Sequence, residues 1–302
     1  MMGAIRILRK VLINASSALA DIAYRRPYFD REAKIRNTSG DEILHLDLVI
    51  TECCSLKCRD CSNLMQYYQH PENISSGEVL SDLCKLLDVF TVRELKIIGG
   101  EPFVNQKTLC DVIAFLNGEY GEKVGCINII TNGTIIPSDE CFESMKSNPK
   151  VMVTFSNYGE LSSRQGEFTA RCIQDGIRYS VLSDSFYWLD FGRPVEYKET
   201  EEFNKRQFGN CFNRKFCNTV YRGGYYVCPR LAHGMRLGLI PDDKSGYADL
   251  NDPLYQDTNE LKKAVQKIIR RKDPVSACSY CINGKYIHLP RGVQNESRSS
   301  RL

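Results

Sequence analysis

The stretch Thr51-Glu-Cys-Cys-Ser-Leu-Lys-Cys-Arg-Asp-Cys61 follows directly on the apolar run from Leu44 to Ile50. Its cysteines Cys54, Cys58 and Cys61 have the spacing CxxxCxxC, which places three thiolates on one loop at the end of a predicted strand. Thiolates favour iron–sulfur clusters or zinc over harder ions. Three protein ligands leave one position open for a water, a substrate or a cofactor. The spacing therefore predicts a metal centre with one open position.

A structural zinc site is the alternative interpretation of the same loop. A closed zinc site needs a fourth cysteine or histidine, and the only close candidates in the sequence are Cys53 and His70. Cys53 is adjacent to Cys54, and neighbouring cysteines seldom both reach one metal ion. The open cluster is therefore the favoured interpretation.

The triplet resembles the cluster motif of radical S-adenosylmethionine enzymes, in which the fourth iron of a [4Fe-4S] cluster binds S-adenosylmethionine. The resemblance implies that Cys54, Cys58 and Cys61 are catalytic metal ligands and that S-adenosyl-L-methionine is a cofactor. It also implies an electron donor such as flavodoxin or ferredoxin. One position departs from the family, because Asp60 stands where an aromatic residue usually precedes the third cysteine.

From Leu44 onward, short apolar runs alternate with longer amphipathic stretches, which is the pattern of repeated βα units around a parallel sheet. We predict five strands, at residues 44–51, 94–98, 126–131, 151–155 and 177–182. We predict the intervening helices at residues 75–90, 106–116, 138–147 and 165–174. The predicted fold is α/β, a partial (β/α)6 TIM-like barrel. Binding residues in such folds gather where the strands end.

The end of the second predicted strand carries Gly99, Gly100, Glu101 and Pro102. Adjacent glycines permit close approach of another backbone, and a carboxylate can accept a hydrogen bond from an ammonium group. An ordinary turn would have the same composition. Because these residues come one strand after the cysteine triplet, they resemble the family's motif for the amino group of S-adenosylmethionine. The resemblance implies that all four bind the cofactor.

The third and fourth strands end in short polar residues, at Thr131, Asn132, Ser156 and Asn157. The same positions contact the ribose or the carboxylate of S-adenosylmethionine in similar enzymes, so the resemblance implies that they bind the cofactor. Helix capping or turn formation is the alternative.

A second set of cysteines lies towards the carboxyl terminus, where residues 219–228 predict a hairpin turning at Gly223 and Gly224. Two separate groups can supply the four thiolates of a closed iron–sulfur cluster, or of a zinc site. The order Cys211, Gly223, Cys228 resembles the opening of the family's auxiliary-cluster domain, and a later CxxC pair completes it. Because the longer SPASM series is absent, the resemblance is to the twitch version. The implied ligands of an auxiliary [4Fe-4S] cluster are Cys211, Cys228, Cys278 and Cys281.

Two further features stay open at the level of sequence. Cys217 can replace Cys211 as a ligand, pack structurally, or donate a hydrogen atom to substrate. The aromatic stretch at 184–194 contains Trp188, the only tryptophan, and we expect it to line or cover the barrel mouth. Within it, Asp190 and Arg193 are candidate substrate contacts. A buried hydrophobic cluster beneath a loop is the alternative.

Composition excludes several classes of protein. The 302 residues are 42% hydrophobic and 25% charged, as in an ordinary globular protein, and the net charge is only +3. The sequence contains no stripe of lysine and arginine residues with interleaved aromatics, which is the pattern typical of nucleic-acid-binding proteins. Fourteen cysteines in a chain of this length fit metal ligation in the cytoplasm better than a secreted disulfide framework. Residues 1–23 predict an amphipathic helix, with a membrane-surface helix as the alternative, and no transmembrane segment is predicted.

These inferences give a domain plan and a predicted function. The plan is an N-terminal helical segment, a radical S-adenosylmethionine barrel, a twitch-type auxiliary domain and a flexible tail, at residues 1–43, 44–200, 201–292 and 293–302. The resemblance implies an enzyme that generates a 5'-deoxyadenosyl radical. Residues 188–192, the Cys228-Pro229 pair and Gln294 also resemble uncharacterised relatives associated with polysaccharide synthesis, so the predicted reaction is oxidation or epimerisation of a carbohydrate, with a nucleotide sugar as one candidate. Modification of a ribosomal peptide is the alternative substrate class. A non-catalytic zinc or iron–sulfur interaction protein is the alternative from a different class.

Overall fold

Strands and helices alternate from Glu42 to Val181 in the computed structural model, which describes residues 40–182 and 188–295. The strands are β1 Glu42–Val49, β2 Thr91–Ile98, β3 Val124–Thr131, β4 Val151–Phe155 and β5 Arg178–Val181. The helices between them are α1 Ser76–Leu87, α2 Gln106–Phe115, α3 Asp139–Lys146 and α4 Gln165–Asp175. Each overlaps its predicted counterpart. The predicted N-terminal helix at 1–23, residues 183–187 of the aromatic stretch and the tail from Ser297 lie outside the described residues.

The remaining elements follow in the second part of the chain. The helices are α5 Glu201–Asn210, α6 Phe212–Phe216, α7 Pro229–Arg236, α8 Thr258–Ile269 and α9 Ser276–Ser279. The strands are β6 Trp188–Leu189, β7 Asn218–Tyr221, β8 Gly224–Tyr226, β9 Tyr247–Asp249 and β10 His288–Leu289. Short 3-10 turns join several of them.

Eight of the strands form one sheet in the order β5-β4-β3-β2-β1-β7-β8-β9. Strands β2 to β5 pair in parallel, and β7 pairs in parallel with β1 through Leu46 and Asn218. Parallel neighbours need crossover connections, which α1 to α4 provide. The predicted α/β class with a mostly parallel sheet is therefore confirmed. Strand β7 supplies the sixth parallel strand.

The predicted hairpin is present, but its turn lies one residue earlier than predicted. Strands β7 and β8 pair antiparallel, with Tyr221 opposite Gly224. The turn residues are Arg222 and Gly223, which have φ angles of 44° and 76°. A two-residue turn of this kind needs positive φ at both positions to match the twist of the strands. Gly224 is therefore the first residue of β8, and not part of the turn.

The two faces of the sheet differ in polarity. One face joins the buried residues of α1 to α4 in a single hydrophobic core. Its members from β1 to β4 are Leu46, Leu48, Leu95, Ile97, Ile127, Ile129, Val153 and Phe155. The intervening positions carry polar side chains that hydrogen-bond from strand to strand. They are His45, Asp47, Glu94, Lys96, Asn128 and Thr154.

The described residues from Ile43 onward form one compact unit. The boundary predicted between residues 200 and 201 stays a prediction. None of the helices in the described ranges has the length and hydropathy that a membrane span requires.

Candidate functional site

Cys54, Cys58 and Cys61 line a single cavity of about 210 Å³ beside the carboxyl ends of β2, β3 and β4. The predicted cofactor residues that line the same cavity are Gly99, Gly100, Thr131, Asn132 and Ser156. The other lining residues are Leu56, Ser62, Asn63, Met65, Ile98, Ile130, Tyr158 and Trp188. Residues from four separate segments of the sequence therefore meet the cysteine loop at one place.

Gly99 and Gly100 let the exit of β2 lie directly against the cysteine loop. A Cβ atom on Gly99 would lie 2.5 Å from the Thr51 carbonyl oxygen, and one on Gly100 would lie 2.2 Å from the Cys53 carbonyl oxygen. The amide of Gly100 donates to the Thr51 carbonyl at 3.0 Å. The close approach predicted for the glycine pair is therefore made by the backbone of the cysteine loop.

Glu101 and Pro102 lie behind the cavity and are not among its lining residues. Glu101 is fully buried, and its carboxylate accepts from the Thr131 hydroxyl and from the Asn132 amide, each at 2.8 Å. Burial raises the pKa of Glu101 to about 7, although these donors oppose the rise. In this structure the carboxylate links the exits of β2 and β3. Its predicted contact with an ammonium group stays a prediction.

The polar residues after β3 and β4 occupy different positions. Asn132 donates from Nδ2 to Ser55 Oγ at 3.0 Å, and the same nitrogen lies 3.8 Å from Cys54 Sγ. Asn157, by contrast, does not line the cavity, and its Nδ2 donates to the Leu182 carbonyl at 3.1 Å. Its φ of 47° is a turn conformation that asparagine tolerates well. Asn157 therefore forms a turn in this structure, as in the alternative interpretation of the polar residues that follow β3 and β4.

A contact that sequence reasoning missed comes from the far end of the chain. The backbone of residues 293–295 pairs with residues 57–59. Gln294 donates from Nε2 to Cys58 Sγ at 3.3 Å, while its Oε1 accepts from the Lys57 amide at 2.8 Å. The tail predicted from residue 293 therefore begins, at the earliest, after Asn295. No local pattern predicts a pairing across more than 230 residues.

The donor chemistry of the cavity fits a thiolate-bound cluster. Burial raises the pKa of Cys54 to about 12 and that of Cys58 to about 11, and it raises the pKa of Cys61 as well. Metal binding at these thiols therefore releases protons. Cys53 and His70, the candidates for a fourth zinc ligand, do not line the cavity. Within the described part of the chain, no three His, Cys, Asp or Glu side chains are grouped as they would be around a single metal ion.

The four cysteines predicted for the auxiliary centre line a second cavity, of about 30 Å³. These are Cys211, Cys228, Cys278 and Cys281. Burial raises the pKa of Cys228 to about 12 and that of Cys281 to about 11. Asn283 donates from Nδ2 to Cys211 Sγ at 3.3 Å. Sequence reasoning did not identify Asn283, nor the two arginines that line this cavity, Arg214 and Arg230.

Cys217 lies apart from this second group. It does not line the cavity, and its thiol is hydrogen-bonded to Asp47 on the polar face of the sheet. Lys96 Nζ lies 3.4 Å from the same carboxylate. Of the three interpretations left open, structural packing fits this position better than a ligand exchange with Cys211.

The described part of the aromatic stretch, residues 188–194, contributes to three cavities, and Phe191 lines the one that the four auxiliary cysteines share. Trp188 lines the first cavity and packs edge-on against Tyr158, with the ring centroids 5.4 Å apart. Asp190 and Arg193 line a separate opening of about 750 Å³, together with Arg59 of the cysteine loop. The candidate substrate contacts therefore lie beside the cysteine loop and not in the cavity that the three thiols share.

Comparison with known proteins finds one matching family model and several proteins of similar sequence. Residues 46–163 match the family described as 4Fe-4S single cluster domain. An S-adenosylmethionine-dependent nucleotide dehydratase of Fibrobacter sp. strain UWH6 is 35% identical over 28% of this chain and 26% of its own length. A probable GTP 3',8-cyclase of Methanocaldococcus jannaschii is 20% identical over 86% of this chain and 80% of its own.

Among solved structures, SuiB of Streptococcus suis bound to precursor peptide SuiA aligns with 85% of this chain and 73% of its own, at 16% identity and a TM-score of 0.44. Four of the curated relatives are matched over only 26% to 35% of their own length. The family match and the S-adenosylmethionine-dependent relative confirm the resemblance predicted from the cysteine triplet.

Proposed function

We propose that this chain, a relative of radical S-adenosylmethionine enzymes with a 4Fe-4S cluster domain over residues 46–163, catalyses a radical reaction on a carbohydrate. The observation that carries the proposal is the single cavity lined by Cys54, Cys58 and Cys61 together with the exits of three neighbouring strands. Cys54, Cys58 and Cys61 would hold the cluster, which with bound S-adenosylmethionine would supply a 5'-deoxyadenosyl radical for hydrogen abstraction. The chain itself must bind, orient and shield the reactants.

The residues around the cavity fit these tasks. Asn132 and Gln294 direct amide N–H groups at two of the three cysteine sulfurs, which is how a protein tunes a cluster by hydrogen bonding. Ser156 adds a polar side chain to the lining of the cavity, where a sugar or the ribose of the cofactor can be bound. Trp188 adds an aromatic ring to the lining of the same cavity.

A sugar, or a nucleotide sugar, is the substrate class that we favour. The named relatives include a nucleotide dehydratase and GTP cyclases, so related chains act on nucleotides. The aromatic and hydroxyl groups that face the cavity suit a polar ring. We propose that the centre held by the second cysteine set accepts an electron from the substrate radical when the reaction is an oxidation.

Anaerobic reconstitution with iron and sulfide tests the proposal. Two cubane clusters require about eight iron and eight sulfide per chain. With S-adenosylmethionine and a reductant, the reconstituted protein should form 5'-deoxyadenosine. The Cys58→Ala variant should form none, because it loses one of three cluster ligands. Cys53→Ala is the matched control, since Cys53 is in the same loop but its thiol donates to the Pro71 carbonyl.

Full activity of Cys58→Ala, or stoichiometric zinc without iron–sulfur absorbance, would reject the proposal in favour of an interaction protein. The substrate class is tested separately, with a panel of nucleotide sugars and of peptides in deuterated water. Solvent deuterium in a sugar product indicates epimerisation, and a two-hydrogen mass loss indicates oxidation. Turnover of peptides alone would contradict the carbohydrate assignment.

A further inference from the structure

Arg230 is buried beside the second set of cysteines and is only partly hydrogen-bonded. Its side chain is 2% exposed and lines the cavity that the four cysteines share. Nε and Nη2 donate to the Tyr280 carbonyl at 3.0 and 2.8 Å, and Nη2 also donates to the Gly192 carbonyl at 2.8 Å. Nη1 has no hydrogen-bond partner among residues 40–182 and 188–295. One N–H group of a buried cation is therefore available to a group inside the cavity.

Arg214 repeats this arrangement at the same cavity. Its guanidinium lies over the Phe208 ring, 4.7 Å from the centroid, and it donates from Nη2 to the Arg271 carbonyl. Its Nε finds no acceptor in the described part of the chain. Burial lowers the pKa of Arg214, and the nearby thiols Cys211 and Cys278 oppose that change. The cavity is thus lined by two guanidinium groups, that of Arg230, which is buried, and that of Arg214, which is partly buried.

The thiols are the acidic groups that face these cations. Within the described residues, the lining of the cavity contains no aspartate or glutamate. Isolated buried charges are costly unless an opposite charge lies close by. A cluster held by four thiolates is anionic and supplies that charge. The pair of arginines therefore fits an anionic centre in this cavity.

We propose that Arg214 and Arg230 set the electron affinity of the cluster held by Cys211, Cys228, Cys278 and Cys281. The inference rests on the proposed function, because it requires an iron–sulfur cluster at this position. One-electron reduction adds one negative charge to the cluster and transfers no atom. Nearby positive charge stabilises the reduced form, and the effect is large where water is excluded. The two arginines therefore raise the reduction potential and favour acceptance of an electron.

The test uses the full-length chain carrying Cys54→Ala, Cys58→Ala and Cys61→Ala, so that only the second cluster is reconstituted. Its one-electron potential is measured by a dithionite titration followed by electron paramagnetic resonance. We expect Arg230→Gln and Arg214→Gln each to weaken the affinity of the cluster for an electron at least tenfold, which is about 59 mV for a one-electron couple. Arg230→Lys, which keeps the charge, should lower the potential less than Arg230→Gln.

Arg206→Gln is the matched control. Arg206 lies on α5, next to the cavity residue Gln207, but its own side chain is exposed. Removal of this charge should leave the potential unchanged. An unchanged potential in Arg214→Gln and Arg230→Gln, each with about four iron bound, would overturn the inference. So would an equal shift in the control.

If Arg230→Gln binds no cluster, the inference is judged on Arg214→Gln alone. A tenfold loss of the cluster's affinity for an electron in this variant supports the inference, and an unchanged affinity overturns it. Iron analysis of the cysteine-to-alanine background distinguishes this failure from failure of the proposed function. If that background binds zinc or no metal, the auxiliary cluster itself is refuted and the inference with it.

Discussion

At the scale of single residues, the absence of a side chain at Gly100 allows the backbone after β2 to lie directly against the cysteine loop. A Cβ atom at this position would lie 2.2 Å from the Cys53 carbonyl oxygen and 2.7 Å from Cys54 Cβ. Both obstacles belong to the cysteine loop, and the closer one is backbone that cannot rotate away. The loop and the exit of β2 can therefore adopt this distance only with glycine here.

We expect Gly100→Ala to destabilise the apoprotein by about 3 kcal/mol and to reduce iron incorporation at the first site, because the added methyl group displaces the cysteine loop. Chemical denaturation and iron analysis measure the two effects. Gly77→Ala, in α1, is the control, since a Cβ atom there would meet nothing within 4 Å. It should stabilise the protein by about 0.5 kcal/mol. Normal cluster content in Gly100→Ala would contradict this account of the glycine.

At the scale of elements, residues 293–295 join the cysteine loop through an isolated β-bridge and two backbone hydrogen bonds. Residues 293–295 pair with residues 57–59, and Gln294 adds an N–H group directed at Cys58 Sγ. Such partners of metal ligands commonly change metal affinity 10- to 100-fold. The segment therefore belongs to the site although it is distant in sequence.

Deletion of residues 293–302 should accelerate loss of iron from the first site to a chelator by about tenfold, because the loop loses its pairing partner. Deletion of residues 296–302 keeps the pairing and is the matched control. Release of iron is followed by absorbance of the chelate. Equal rates for the two truncated proteins would show that the pairing does not protect the cluster.

A second contact between elements joins α1 to the β7–β8 turn, where Asp82 accepts from the Gly223 amide at 2.7 Å. Burial raises the pKa of Asp82 to about 6, above the value near 4 expected for an unfolded chain. The folded state thus binds this proton more tightly. Its contribution to the free energy of unfolding falls as the pH rises from about 4 to 6, and stays low above that range.

Asp82→Asn keeps an acceptor for the Gly223 amide and removes the buried charge. We expect a gain of about 2 kcal/mol in the free energy of unfolding at pH 7 and almost none at pH 4. Urea denaturation at both pH values measures the difference. The exposed Asp242 provides the control, and Asp242→Asn should change stability by less than about 0.5 kcal/mol at either pH. A gain of equal size at pH 4 would contradict burial of the charge as the cause.

At the scale of the whole molecule, the chain brings seven cysteines into two groups of different composition. Three thiols share the first cavity and four share the second. An incomplete set leaves a position for a cofactor, whereas a complete set suits electron transfer. This difference in ligand number supports the proposed division of labour between two centres.

We expect Cys278→Ala to reduce iron from about eight to about four per chain while retaining some uncoupled cleavage of S-adenosylmethionine. Conversion of substrate should be lost if the second centre accepts an electron. Cys217→Ala is the control, because Cys217 contacts Asp47 and does not line the second cavity. Its iron content should remain at about eight. A drop to about four iron atoms per chain in Cys217→Ala would show that Cys217 is a cluster ligand.

The sequence by itself determined the alternation of strands and helices, the cysteine triplet, and the glycine pair one strand later. These are local signals, since periodicity and ligand spacing act within a few turns or one loop. Tertiary structure alone decided that β7 lies beside β1, that Gln294 reaches Cys58, and that Arg230 is buried beside the second set of thiols. The first two depend on pairing between residues more than 150 positions apart, and the third on packing between residues 38 to 50 positions apart, so none of them leaves a local pattern in the chain.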